Sequence, residues 1–404
     1  MSESPLNGIR VVEVANWLAA PAAGVLLADL GADVIKIEPP TGDPWRYFQM
    51  ESMGYDGPFP INYCFEVDNR GKRSVALDIG IPDGREAALR LIDSCDVFVT
   101  NLVPARRERF GLSYQQLSVR NPRVVYLGFS GYGPEGEDRD RLGFDYAAFW
   151  ARSGIMSVVG EPEETPALQR AGMGDHTTAP LLAFGVMAAL FERERSGRGQ
   201  EVTGSLLNTA LWVLNADVQA ALVSGQAPKR KKRTANPNPI WNSYRAGDGK
   251  WFLLVMPTPD PYWPRVCAAV GHPELGGDPA YATQARRRER SEELIALFGR
   301  TFATAPLEEW GRRFDEQDVI WAPAQTLDDV IIDPQVRAND YFTTVDHPTH
   351  GPYETVQTPL KFSRSDVGVR GAAPEVGQQT EEVLLETGFT WDEIAGLRAS
   401  GALG

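Results

Sequence analysis

Cysteine and histidine are scarce in this 404-residue chain. Cys64, Cys95 and Cys267 are few, odd in number and far apart, which excludes a cysteine-rich zinc pattern and fits a reducing cytoplasm. Each is expected to be a small buried hydrophobe. Of the four histidines, His176, His272, His347 and His350, none has the i, i+4 spacing of a helical zinc pair. His347 and His350 fall in a proline-flanked stretch that reads as exposed loop, so no metal is expected. No run of apolar residues is long enough to span a bilayer, and residues 1–7 lack a basic region followed by an apolar one, which argues against membrane insertion and secretion. Basic residues are outnumbered 40 to 54, for a net charge of −14, which disfavours nucleic acid as a partner. The first strand is not followed by Gly-x-Gly-x-x-Gly, its turn reading Ala15-Asn16-Trp17-Leu18-Ala19-Ala20-Pro21. A Gly-x-Ser-x-Gly elbow and a phosphate-cradling Gly-x-x-x-x-Gly-Lys-Ser/Thr are also absent.

What is present is an alternation of strands and helices. Ile9 to Val14 reads as a strand, Ala22 to Leu30 as a helix stopped by Gly31, and Asp33 to Ile37 as a second strand. The pattern repeats with a strand at Val75 to Leu77, a helix from Asp83 as cap to Ser94, and strands at Asp96 to Thr100 and Val124 to Phe129. Such alternation predicts a large Rossmann-like, doubly wound parallel-sheet α/β domain. Ligands of open sheets of this kind sit beyond the carboxyl ends of the strands, where Trp17, Leu18, Glu38, Asn101 and Leu102 fall. The chain is longer than one core usually spans, and its composition turns basic and proline-rich from Ser224 to Asn238. We therefore expect residues 1–223 in the large domain, 224–330 in a smaller α+β domain with its linkers, and 331–404 returning to the large domain. The basic run Lys229 to Arg233 reads as a solvated interdomain loop or as a guide for a polyanionic ligand.

Gly172-Met173-Gly174-Asp175 precedes a long apolar helical pattern from Thr177 to Arg195. Aspartate there is an ordinary N-cap. It is equally a carboxylate at the positive end of a helix, flanked by glycines that let another molecule approach. With metals, hydrolase elbows and dinucleotide loops removed, a carboxylate is what remains for chemistry.

Several segments in order carry a resemblance over nearly the whole chain: Leu6 to Val11, Leu30 to Glu38, Asn69 to Ser74, Gly172 to Asp175, Gly197 to Gln200 and Pro359 to Ser363. The sequence resembles the family III (CaiB/BaiF) CoA-transferases, which include formyl-CoA:oxalate and carnitine CoA-transferases and, as a divergent branch, the α-methylacyl-CoA racemases. The resemblance implies that Asp175 is a covalent nucleophile, forming a mixed anhydride with the acyl group and then an aspartyl-CoA thioester. It implies oxyanion stabilisation by backbone N–H groups near Gly172 to Asp175, Gly174 among them. No permanently bound cofactor is required, with coenzyme A or acyl-CoA and a small carboxylic acid as substrates. CoA contacts are implied at Leu18, Ala19, Leu77, Asn101, Leu102, Val103, Arg109 and Gly143, Phe144, Asp145 and Tyr146. Arg109 has the guanidinium fork that suits phosphate. Some relatives carry basic residues where this chain has Pro39 and Gly80, so Lys72, Arg73 or the 229–233 run is expected to supply that contact.

The racemase branch carries a histidine where this chain has Phe144, and its second-domain glutamate has only Asp260 as an uncertain counterpart. A phenyl ring exchanges no proton, so transfer is favoured over racemisation of 2-methylacyl-CoA. A non-catalytic acyl-CoA-binding protein is a third reading, opposed by the retention of Asp175. The glycine-run loop of the oxalate enzymes is missing between Asn236 and Asp260, while Trp241, Tyr244, Trp251, Tyr262 and Trp263 suit either a pocket for a bulky acid or a packed small-domain core. The family's interlocked ring subunits imply a homodimer.

Overall fold

The computed structural model describes residues 3–49, 54 and 61–403. It divides into two compact units, one comprising Met1–Ser157, Ala167–Ala227 and Asp340–Gly404, the other Val158–Pro166 and Pro228–Asn339. The chain crosses between them four residues later than the sequence suggested, at Ala227/Pro228 rather than 223/224. Residues 331–339 belong to the second unit instead of the C-terminal return, because helix Pro334–Ala338 packs on helix Leu327–Ile332. The excursion Val158–Pro166 has no sequence signal. It is held by Glu161, whose backbone carbonyl accepts from Arg230 and whose carboxylate accepts from the Arg233 N–H.

In the first unit the elements run β1 (Arg10–Val14), α1 (Ala19–Asp29), β2 (Asp33–Glu38), α2 (Tyr63–Asn69), β3 (Arg73–Ala76), α3 (Pro82–Asp93), β4 (Val97–Thr100), α4 (Pro104–Phe110), α5 (Tyr114–Arg120), β5 (Val125–Ser130), α6 (Ile155–Val158), α7 (Met173–Ser196), β6 (Glu201–Ser205), α8 (Leu206–Val213) and α9 (Asn215–Ser224). The six strands form one parallel sheet in the order β3-β2-β1-β4-β5-β6. Both faces are covered, which is why the strands read as continuous apolar runs rather than as alternation. Val11, Val97 and Val125 face a core shared with α1 and α7, while Val12, Ile35 and Phe98 face one shared with α3, α5 and the C-terminal helices Thr380–Glu386 and Trp391–Ala399. Burying each such side chain stabilises by roughly 1.5–3 kcal/mol. The strand order reverses between β1 and β4, and the crevice at their carboxyl ends is where ligands of such sheets bind.

Two helix starts differ from expectation. Pro82, not Asp83, opens α3, its fixed φ and missing N–H suiting the first helical position. Helix α7 begins at Met173, earlier than predicted, so Asp175 lies inside its first turn and Gly172 at φ +81° occupies the cap. The second unit holds an antiparallel sheet of Trp241–Arg245, Trp251–Val255 and Trp321–Pro323. Its core is aromatic, with Tyr244 and Phe252 packed on Phe302 at centroid distances of 4.9 and 5.0 Å. Tyr244 and Trp263 thus serve that core, whereas Trp241 and Trp251 are exposed. Among the described residues no single helix is long and apolar enough to cross a membrane.

Candidate active site

The start of α7 is fixed by a side chain 27 residues upstream. Gly172 donates its N–H to Asp145 Oδ2 at 2.9 Å, and Tyr146 donates to Asp145 Oδ1 at 2.8 Å. The Asp145 carboxylate therefore fixes the Gly172 cap of α7. Asp175 is not the cap, and the Gly172 N–H is engaged by Asp145 rather than free for an oxyanion. Asp145 is buried behind the loop, not a surface open to CoA. Gly174 is required for packing, since a Cβ there would stand 2.6 Å from Phe149 Cγ. Gly172 adopts a left-handed conformation and borders His176 and Leu18.

Asp175 is buried, and burial raises its pKa, with the carboxylates of Asp145 and Asp68 adding to the effect, to about 8; His176 opposes the shift. The helix N-terminus also favours the anion. His176 is held by Asp68, with Nε2 and Oδ1 2.8 Å apart. Partial burial works against the imidazolium, but this bond and the charges of Asp68, Asp175 and Asp145 outweigh it and raise the His176 pKa. Asp68 is fixed in turn by Trp45, whose indole N–H donates to its Oδ2 at 2.9 Å. Sequence reasoning missed Asp68, Trp45 and the role of His176. The signal available was an acidic residue in the short α2 segment just ahead of the Asn69 to Ser74 motif.

The turn after β1 completes the wall. Trp17 is left-handed at φ +67°, its N–H donating to Asp43, and its ring meets Phe144 edge-on at 5.2 Å. Phe144 and Tyr146 are exposed at this wall, whereas Gly143 packs tightly against Gly131 and Tyr132. Asn101 clamps the turn, its amide nitrogen donating to the Asn16 carbonyl at 2.6 Å and its oxygen accepting from the Asn16 N–H. Asn101 and Asn16 thereby fix where Trp17 and Leu18 sit. Ala19 is buried at the start of α1, and Val103 caps α4.

Beyond the carboxyl ends of β1 to β4 lies a cavity of about 200 Å³ lined by Asn16, Leu77, Ile79, Leu102, Arg106 and Phe110, among others. Leu77 and Leu102, two of the residues expected to meet CoA, both line it. Arg106, not Arg109, lines this cavity; Arg109 is exposed, its guanidinium 5.4 Å from the Phe110 ring. Lys72 and Arg73 are not available to a phosphate. Lys72 is fully buried against Glu13, and Arg73 bonds Asp33, Glu382 and Glu386. In the second unit Lys232 pairs with Glu163 and Arg233 packs over Trp251, while Asp260 is taken by Arg287. His347 is buried rather than looped out, its Nε2 3.4 Å from Glu66. No cluster of side chains suited to a metal occurs among the described residues.

Asp68 and His176 also border a second cavity, about 380 Å³ and mostly apolar, lined by Val25, Leu26, Val67, Pro180 and Val356.

An open parallel sheet with a buried carboxylate at the head of a helix defines an α/β protein whose site is built for carboxylate chemistry. The chain belongs to CoA-transferase family III, whose sequence profile matches residues 6–380. It is 33% identical to a cinnamoyl-CoA:phenyllactate CoA-transferase of Clostridium sporogenes, the match covering 96% of this chain and 94% of that one. It is 31% identical to an (R)-2-hydroxy-4-methylpentanoate CoA-transferase of Clostridioides difficile, covering 98% of each. A crystal structure of a CaiB/BaiF family protein from Brucella suis is similar with a TM-score of 0.83 and 29% identity, covering 96% of this chain and all of that one. The protein is accordingly a CoA-transferase, and CoA thioesters are its substrates.

Proposed function

We infer that CoA is carried through Asp175. The observation that carries this reading is a single buried carboxylate in the first turn of α7, set there by Asp145 and reached across Gly172. An Asp175 oxygen attacks the donor thioester carbon, the C–S bond breaks, and the thiolate leaves with its electron pair, giving a mixed anhydride. The thiolate then attacks the aspartyl carbonyl and releases the donor acid, leaving aspartyl-CoA. The acceptor carboxylate reverses both steps. The cavity beyond β1 to β4 suits the adenine end of CoA, with Leu77, Ile79 and Leu102 as apolar walls and Arg106 for phosphate.

The acceptor in this reading is an acid with a branched or aromatic apolar chain. The apolar cavity beside His176 and the kind of acid in the names of the two relatives support that choice over oxalate. Racemisation is less well supported, because Phe144 holds no proton and Asp260 is bound to Arg287. A homodimer fits the exposed apolar faces of α7 and α8, with Phe184, Phe191 and Trp212, and an α9 that buries none of its residues. Three buried free cysteines suit a reducing cytoplasm.

The test is to incubate the protein with a panel of acyl-CoAs and acids and follow new CoA esters by mass. Hydroxylamine should trap an Asp175 adduct, and none should form in Asp175→Ala. Turnover of oxalate faster than of every bulky acid would overturn the acceptor assignment.

A further inference from the structure

Attack of Asp175 on a thioester creates a negative oxygen, and the Gly172 N–H in the turn before the nucleophile is committed to Asp145. A side-chain donor stands beside that turn. Among the charged groups that act on Asp175, Asp145 and Asp68 are both carboxylates, and His176 is the one cation. Its ring is oriented from outside the helix. Nε2 is 2.8 Å from Asp68 Oδ1, and a carboxylate oxygen accepts, so Nε2 carries a hydrogen. The other edge faces the nucleophile loop, with Nδ1 3.1 Å from where a Cβ on Gly172 would stand, close to a Leu18 methyl. The side chain is about half exposed, and among the described residues its ring bonds Asp68. An imidazolium in this setting presents Nδ1–H toward the space that Gly172 leaves open.

We propose that His176, oriented by Asp68, donates through Nδ1–H to the oxyanion formed when Asp175 attacks a CoA thioester. The step involves no proton transfer: the carbonyl oxygen gains charge as the Asp175–carbon bond forms, accepts the hydrogen bond, and loses charge again as the C–S bond breaks. His176 is the catalytic donor and Asp68 the positioning residue. The inference rests on Asp175 being the nucleophile. It also gives a physical reason for a charged side chain directly after it, where a helix interior would accept many residues.

Two amides separate this role from a structural one. In His176→Asn the amide nitrogen falls near Nδ1, so a donor remains on the working edge; in His176→Gln it falls near Nε2, so only the Asp68 contact remains. The full-length protein should lose on the order of 100-fold in kcat as His176→Gln or His176→Ala, with KM for the acyl-CoA little changed. His176→Asn should stay within about tenfold of the parent, since one neutral donor replaces a charged one. Asp68→Asn can satisfy only one of the two donors that Asp68 now accepts, so it should lower kcat with KM unchanged. His176→Gln equal to or faster than His176→Asn, or a loss confined to KM, would overturn the proposal. Asp175→Ala distinguishes the two levels: activity in that variant would remove the nucleophile itself, whereas a dead Asp175→Ala beside unaffected His176 variants would remove only the donor.

Discussion

Two clusters of buried charge lie side by side in the first unit, and they are balanced differently. Under the β1 turn, Lys36 bonds Glu13 at 3.1 Å and Asp43 at 2.9 Å, and Lys72 bonds Glu13 at 3.0 Å. Two cations face two anions, and Lys72 is further held by the Asp68 carbonyl and Asn69. At the head of α7 the charges acting on Asp175 are the carboxylates of Asp145 and Asp68 and the single cation His176, while Lys72 reaches Asp68 alone of these three carboxylates among the described residues. The first cluster leaves nothing for a ligand to complete. The second has an excess of negative charge, and the group that burial strains most, Asp175, is the one placed at the helix terminus. Charge balance, rather than burial, separates the scaffold from the site. Glu13 illustrates the point: burial works to raise its pKa, yet Lys72 and Lys36 bring it below the ordinary value.

The comparison is broken most directly by removing one member of each cluster. Asp175→Asn should reduce turnover by at least about 10⁴-fold, the effect expected of the proposed acyl carrier. Glu13→Gln should leave the chemistry intact but destabilise the fold, by roughly 3–5 kcal/mol, as two buried lysines lose their shared partner. A denaturant titration reads the second effect and a single-turnover assay the first. If Glu13→Gln were as stable as the parent, the balanced cluster would not be what holds β1, β2 and α2 together.

Asp175→Asn should also raise stability, with a definite pH dependence. The folded-state pKa is about 8, against an ordinary value of 3.8, so the folded protein holds this proton more tightly than the unfolded chain. Ionisation then costs stability progressively as pH rises from about 4 to 8. The variant avoids that loss. Its advantage in thermal or denaturant unfolding should be absent near pH 4 and grow to roughly 2–5 kcal/mol above pH 8. A pH-independent difference would mean that the strain is steric rather than electrostatic.

The parallel sheet was legible because its strands are apolar runs at regular spacing, and the start of α7 drew notice because two glycines and an aspartate precede a long helix. What joins those elements was not. Asp145 meets Gly172 from 27 residues away, and His176 meets Asp68 from 108 away, distances over which periodicity carries no information. The balanced cluster left a fainter trace: Glu13 and Lys36 sit between apolar residues inside adjacent strands, and in the parallel register they stand opposite each other. A charge inside a doubly covered strand needs a partner, and the neighbouring strand is the nearest place for one. The arginines after Pro104 show the converse limit. Three arginines follow Pro104 on a short helix, and which of them turns toward the strand ends depends on packing: Arg107 is drawn inward to the Leu102 and Phe129 carbonyls, leaving Arg106 along the cavity.

The smallest effect sharpens the comparison most. Asp145 both builds the first turn of α7 and adds to the negative field on Asp175, and Asp145→Asn separates these roles, since the amide oxygen still accepts from a backbone N–H while the charge is gone. With one carboxylate removed, Asp175 should ionise at lower pH, so the acid limb of kcat/KM, expected near pH 8 in the parent, should move down by roughly one unit. The amide nitrogen cannot accept, so the bond to Gly172 or to Tyr146 is lost, and the plateau rate should fall by about tenfold as the turn loosens. A lower plateau with an unmoved limb would show that Asp145 acts only as a cap, and that burial and Asp68 suffice to hold the nucleophile at its raised pKa.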